Sequence, residues 1–290
     1  MPNSFGVRLG KTFEKFGQLC VGIDPHAELL DAWGLADSPE GLRQFAFAAL
    51  GAATGRVGII KPQVSFFERH GSAGFKVLED LCAAARDAGL LVILDAKRGD
   101  IGTTMQAYFD AWLGKSAPFV SDALTVSPYL GFDSMLDIYS QAAERGKGII
   151  VLCATSNPEG AALQQAEMAD GQSVAASIWK SLDKINEVTQ TPGEHLGSFG
   201  AVIGATLRLK QFGLEAIERN PLKASANTFI LAPGFGAQGA QINMLDRLFG
   251  EASPSVIASV SRSVLSAGPS AIDEAIDAHN AELRDAVESR

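Results

Sequence analysis

Hydrophobic residues along this chain come in short, nearly unbroken runs, each followed by a longer stretch in which apolar positions recur every three or four residues. The runs are QLCVGI, RVGII, LLVIL, DALTV, GIIVLCA, FGAVIG, TFILA and SVIASV. Continuous rather than alternating hydrophobicity predicts parallel strands covered on both faces. Segments such as GLRQFAFAALGAA, FKVLEDLCAAARDA, SMLDIYSQAAER, QSVAASIWKSLDKINEV and AIDEAIDAHNAELRDAV predict amphipathic helices. Eight strand–helix repeats with no linker or composition break point to an α/β fold of one domain over residues 1–290, a closed (β/α)8 TIM barrel. An initial helix over about 5–16 is expected across the barrel bottom, the barrel over about 18–265, and a last helix over about 268–288. The polar stretch from Asn157 to Gly171 reads as a loop over the barrel mouth. A doubly wound open sheet is the alternative arrangement of the same repeat. It is disfavoured because the first strand–helix turn, VGIDPHAELL, lacks a Gly-rich dinucleotide fingerprint.

Composition narrows the class of protein. With 47% hydrophobic and 20% charged residues over 290 positions, the chain can bury a large core without staples. A net charge of −9 offers no general field for nucleic acid or an anionic membrane, so an anionic ligand must be met by a local gathering of cations and backbone N–H groups. Three cysteines, Cys20, Cys82 and Cys153, are odd in number and far apart. They read as small buried hydrophobes rather than a disulfide framework, which points to a reducing cytosol. The N-terminal stretch has no signal-peptide core and no run reaches membrane length, so a soluble, cytoplasmic protein is expected.

Chemistry in a barrel collects at the C-terminal ends of the strands. Reading those ends in order gives Asp24, Lys61, Asp95 and Lys97, Ser127, Thr155 and Ser156, Thr206, Pro233-Gly234 and Arg262. Solvated strand-end charges would account for any one of these, but not for the whole set. Asp95 and Lys97 are two apart on a strand and so share one side of it. A buried lysine stays charged only beside carboxylates, and Lys97 is flanked by Asp95 and Asp100. Lys61 on the neighbouring strand end can pair with Asp95 and extend an alternating charge network. Such a network could set positive charge against a developing carbanion and then deliver a proton to it. The loop Pro233-Gly234-Phe235-Gly236-Ala237-Gln238-Gly239 and the segment Ser259-Val260-Ser261-Arg262 follow strands seven and eight, where barrels often hold a phosphate. Arg262 can grip a phosphate bidentately and Gln238 can donate from its amide. His26, His70, His195 and His279 show no metal-ligand spacing.

LDAKRGDIGTT resembles the signature of the orotidine 5′-monophosphate decarboxylase family, in the form carried by its bacterial type 2 members. VGIDP, IIKPQ, LAPGFGAQG and SVSRS match the same family in the same order, over residues from about 20 to 265. The resemblance implies a carboxy-lyase of UMP biosynthesis that turns orotidine 5′-monophosphate into UMP and CO2 with no metal or cofactor. It implies that Lys97 is the catalytic lysine and proton donor to C6, and that Asp95 faces the departing carboxylate. Lys61 would bridge Asp95 and the ribose hydroxyls, and Asp24 would bind ribose. Ser156, with Thr155 beside it as the alternative, would meet the pyrimidine edge, and Gln238 and Arg262 would hold the phosphate beside Pro233 and Gly234. Asp100 and Thr104 would reach into a partner's site, so a homodimer is expected. A related Mg2+-dependent barrel also carries D-x-K-x-x-D, but has a metal-binding carboxylate at the end of strand two, where this chain has Lys61. A non-catalytic phosphate-binding barrel would have lost Asp95, Lys97 or Asp100, and all are present.

Overall fold

Parallel strands pair in chain order until the last closes on the first. In the computed structural model, which describes residues 3–190, 193–219, 228–237 and 239–288, these strands are β1 (Leu19–Ile23), β2 (Ile59–Pro62), β3 (Leu91–Arg98), β4 (Ala123–Val126), β5 (Gly148–Ala154), β6 (Phe199–Ile203), β7 (Phe229–Pro233) and β8 (Val256–Val260). Closure is parallel between β1 and β8, with Cys20 opposite Ser259. The fold is the (β/α)8 barrel that the eight aliphatic runs predict, in a single domain.

The main helices are α1 (Phe5–Phe16), α2 (Pro39–Ala53), α3 (Gly71–Asp87), α4 (Gly102–Leu113), α5 (Leu136–Glu144), α6 (Val174–Thr189) and α7 (Ile272–Glu288). Their starts are set locally. Ser4, Ser38 and Ser173 each accept a hydrogen bond from an amide of the first turn, and Pro39 stands at the start of α2, where its missing N–H costs nothing. Between β6 and β7 the described chain forms only short helical turns, Leu209–Phe212 and Ala216–Arg219.

Alternate residues of each strand fall into two separate clusters, as a period of two requires. Val92 and Leu94 join the large cluster beneath the outer helices. Leu91 and Ile93 join a smaller one with Ile59, Ala123, Ile150 and Leu231, which fills the barrel. Helix α1 supplies Phe5 and Leu9 to that interior, with the Phe5 ring 5.6 Å from Phe229. At the same N-terminal end, Arg8 of α1 pairs with Asp122 and donates to the Gly146 carbonyl, so α1 lies across the bottom of the barrel.

The stretch from Asn157 to Gly171 is less irregular than a polar loop suggests. It folds into a 3-10 turn (Pro158–Gly160), a helical turn (Ala161–Gln164) and a bridge between Glu167 and Ser173. Gln164 ties this stretch to the end of β5, its Oε1 accepting from the Thr155 amide at 2.9 Å and its Nε2 donating to the Thr155 hydroxyl at 2.7 Å.

Candidate active site

Moving two residues up four of the strands from the apolar interior layer changes the chemistry of the barrel. Ile59 gives way to Lys61, Ile93 to Asp95, Ala123 to Thr125 and Ile257 to Ser259. All four polar residues are buried. The pleat therefore carries one side of β2, β3, β4 and β8 from a greasy floor to a polar top at the C-terminal mouth.

Asp95 is the centre of that layer. Its Oδ2 accepts from Lys61 Nζ at 2.9 Å, and its Oδ1 accepts from Lys97 Nζ at 2.6 Å and from the Thr125 hydroxyl at 2.8 Å. Lys61 is sealed in, with 8% of its side chain exposed, whereas Lys97 is 43% exposed and faces the opening. Burial by itself would pull the Lys61 ammonium down, but the charges of Asp95 and Asp24 raise it above the ordinary lysine value. Burial likewise would raise Asp95, yet the Lys61 and Lys97 ammonium groups hold it well below the usual carboxylate range. The cluster is thus two cations around one anion. Beneath it, burial pushes the Cys20 thiol up to about 12, so Cys20 stays neutral.

Backbone geometry brings Lys97 to this position. Between Leu94 and Arg98, β3 spends four residues where β4 spends two, Leu124 to Val126. The extra residues form a bulge, and Lys97 sits in it at φ 49°, a left-handed conformation seen at no other non-glycine position among the described residues. The top of β4 holds the bulge. The Lys97 amide donates to the Thr125 hydroxyl at 3.0 Å, the Ser127 amide donates to the Arg98 carbonyl at 2.8 Å, and a Cβ on Gly99 would meet the Ser127 carbonyl at 2.4 Å.

Asp100 departs from one expectation. The sequence places it beside Lys97, but among the described residues Lys97 pairs with Asp95 and no cation pairs with Asp100. The strand ends at Arg98, and the Asp100 carboxylate accepts instead from the Ile101 amide at 2.8 Å. Thr104 is exposed in the first turn of α4. Asp24 follows β1, and its Oδ1 is buried without a hydrogen-bond partner among the described residues. Ser156 packs against Gly204, where a Cβ would approach it at 3.1 Å. Thr155 is committed to its own loop, with its hydroxyl near Asn157 and Gln164.

The loops after β7 and β8 meet. Pro233 pairs in register with Ser259, and a Cβ on Gly236 would meet Ser263 at 2.6 Å. Gly234 and Gly236 have φ of 115° and 73°, which only glycine adopts at little cost. The amides of Gly236, Gly239 and Ala240 close this loop on itself through backbone carbonyls. Arg262 is exposed at the start of a short helix and makes no ion pair among the described residues. Gln238 lies outside the described residues.

Thr125 is the site residue that reading strand ends overlooks. It lies inside the run DALTV, and its signal is a lone hydroxyl at an inward position one pleat above Ala123. A cleft of about 510 Å³ at the opposite end of the barrel, lined by Phe13, Phe16, Arg56 and Arg284 among others, is remote from this cluster.

The model of the orotidine 5′-phosphate decarboxylase / HUMPS family matches residues 17–275. Orotidine 5′-phosphate decarboxylase of Streptomyces coelicolor is 48% identical over 287 residues, 98% of each chain. The Corynebacterium glutamicum protein of the same name is 43% identical over 266 residues, 92% of each chain. Among solved structures, a candidate orotidine 5′-phosphate decarboxylase from Streptomyces avermitilis superposes with a TM-score of 0.90 at 47% identity, covering 99% of this chain and 96% of that one. The Leishmania donovani OMP decarboxylase gives 0.75 at 26% identity and 98% of both chains.

Proposed function

The chain belongs to the orotidine 5′-phosphate decarboxylase / HUMPS family and is a carboxy-lyase, and from that premise we propose how its residues release CO2 from orotidine 5′-monophosphate to leave UMP. The observation that carries the proposal is the Lys61–Asp95–Lys97 chain at the barrel mouth, with its exposed end at Lys97.

Breaking the bond from C6 to the carboxylate leaves the electron pair in an sp2 orbital that no carbonyl can delocalise. The stabilising charge must therefore be in place before the bond breaks. Lys97 is held by Asp95 and by the bulge, so its ammonium needs little reorganisation. A preorganised group of this kind contributes roughly 3–4 kcal/mol to a transition state. As CO2 departs, Lys97 donates a proton to C6, a C6–H bond forms, and the neutral amine later regains a proton from solvent. Asp95 faces the substrate carboxylate, and Lys61 keeps Asp95 ionised. Lys61 also occupies the place where the related Mg2+-dependent barrels carry a metal-binding carboxylate, so the proposed reaction uses no metal.

Binding is assigned along the rim. The unpartnered Asp24 Oδ1 is an acceptor suited to a ribose hydroxyl. Ser156, which follows β5 and packs against Gly204, is assigned to the pyrimidine edge, with Thr155 beside it as the alternative. Arg262, with Pro233, Gly234 and Gln238, takes the phosphate. The proposed assembly is a cytoplasmic homodimer in which Asp100 and Thr104 serve the partner's site. Its support is the exposed apolar residues on two segments that meet at Asp100 through Ser134, Ile101 on one and Tyr129, Leu130 and Leu136 on the other.

The test is direct. Enzyme treated with EDTA should consume orotidine 5′-monophosphate, followed by its absorbance, and yield stoichiometric UMP and CO2. Absence of CO2 release by folded, dimeric enzyme would refute the reading.

A further inference from the structure

The geometry points to Thr125 as a positioning residue that fixes Asp95 and Lys97 together, an inference that rests on the decarboxylase reading for its effect on rate. Thr125 is fully buried on β4, one pleat above Ala123. Its single hydroxyl does two jobs at once. The O–H donates to Asp95 Oδ1 at 2.8 Å, and the oxygen accepts from the Lys97 amide at 3.0 Å.

Each job answers a need that the fold creates. The bulge in β3 takes the half-buried Lys97 amide out of the regular ladder and leaves it needing another acceptor. Thr125 supplies that acceptor from a side chain. Lys97 also holds a left-handed φ of 49°, a conformation that persists only where its surroundings over-determine it. Asp95, for its part, has two oxygens. Lys61 takes Oδ2, while Oδ1 is shared by Lys97 and Thr125, so the hydroxyl fixes the plane of the carboxylate. One hydroxyl therefore ties the backbone of the proton donor to the side chain of its anionic partner. Thr125 itself need not touch the substrate. Misplacing a reacting group by about an ångström costs on the order of a hundredfold in rate, so loss of this tie should act on turnover more than on binding.

The experiment compares Thr125→Val, which keeps the shape and removes the hydroxyl, with Thr125→Ser, which keeps the hydroxyl and removes the methyl group. Thr125→Val should lower kcat by about ten- to a hundredfold with KM within about threefold of wild type. Thr125→Ser should stay within about threefold in both constants. Crystal structures of the two variants give a readout that does not depend on activity. In Thr125→Val, the Asp95 carboxylate should rotate or Lys97 should leave the left-handed region, while Thr125→Ser should keep both. If Thr125→Val does not fold, Thr125→Ala is read against Thr125→Ser in the same way. Unchanged kcat in Thr125→Val, an equal fall in Thr125→Ser, or unaltered Asp95 and Lys97 geometry without the hydroxyl would overturn the inference. If wild-type enzyme released no CO2 from orotidine 5′-monophosphate, the decarboxylase reading would fail instead, and the crystal structures would still decide the role of Thr125.

Discussion

Lys61 Nζ lies 2.9 Å from Asp95 Oδ2, with only 8% and 12% of the two side chains exposed. Neither charge has water to fall back on, so each depends on charged neighbours, Asp95 on Lys61 and Lys97, and Lys61 on Asp95 and Asp24. Replacing one member of such a pair strands its partner, at a cost of about 3–5 kcal/mol. Asp95→Asn should therefore lose about that much stability at neutral pH, read from urea unfolding.

The pH dependence has a definite sign. Asp95 is depressed in the folded state, so its contribution is present above the unfolded carboxylate value of about 3.9 and is lost as pH falls toward the folded one. Lys61 is raised, so its contribution is complete below the unfolded lysine value of about 10.4 and is lost as pH rises through the folded one. In Asp95→Asn, Lys61 loses the charge of Asp95 and keeps only that of Asp24, so burial, the largest influence on it, pulls it down and the variant should gain stability as pH rises. The gap between the two proteins should narrow below about pH 4 and again toward pH 10. A gap that stayed constant across that range would mean that the pair contributes nothing through charge.

Lys97→Ala should abolish decarboxylation while leaving UMP binding within a few-fold of wild type. In the proposed mechanism Lys97 faces the negative charge that develops at C6 and supplies the proton, whereas the proposed ribose and phosphate contacts, Asp24 and Arg262, lie on other strands. Isothermal titration with UMP separates binding from turnover. Retention of more than about a tenth of wild-type kcat, a barrier change below roughly 1.4 kcal/mol, would remove Lys97 from the chemical step.

Arg262→Ala tests the phosphate end. Arg262 is exposed and makes no ion pair among the described residues, so its guanidinium has no structural partner to lose. Hydrogen bonds to a charged group are worth about 1.5–3 kcal/mol, which corresponds to a rise in KM of roughly ten- to a hundredfold. If phosphate binding also drives loop closure, part of the loss should appear in kcat. In wild type, added phosphite should then accelerate turnover of a substrate lacking the phosphate. Unchanged kinetic constants in Arg262→Ala would place the phosphate elsewhere.

The barrel itself was legible because each strand is covered on both faces and so had to be a continuous apolar run. Lys61 and Asp95 stood out as members of a set, since solvated strand-end charges would account for either one alone but not for the whole ring of polar strand ends. The bulge in β3 left no such mark. Glycine or asparagine usually announces a left-handed residue, yet here the position is Lys97, held there by β4 rather than by its own preference. Thr125 was hidden for a related reason, since a threonine inside a strand fits β propensity without further comment. That Lys97 pairs with Asp95 while Asp100 accepts from its own neighbouring amide could not be read from D-x-K-x-x-D.

The placing of Asp100 leads to the last prediction. Asp100 accepts from its own neighbouring amide and meets no cation among the described residues, in a loop whose next residue, Ile101, is 58% exposed. A carboxylate so placed is free to serve a site across an interface. Under the proposed shared-site dimer, Lys97→Ala and Asp100→Ala homodimers should each be nearly inactive, because every site lacks one of the two groups. A two-fold heterodimer distributes the lesions differently. One site then carries both lesions, and the other combines Lys97 from one protomer with Asp100 from its partner. Mixing the two inactive variants under subunit exchange should restore up to about half of wild-type activity per heterodimer. Differently tagged chains allow the heterodimer to be purified and assayed alone. If the purified heterodimer is as inactive as its parents, Asp100 acts within its own chain and the shared-site arrangement is wrong.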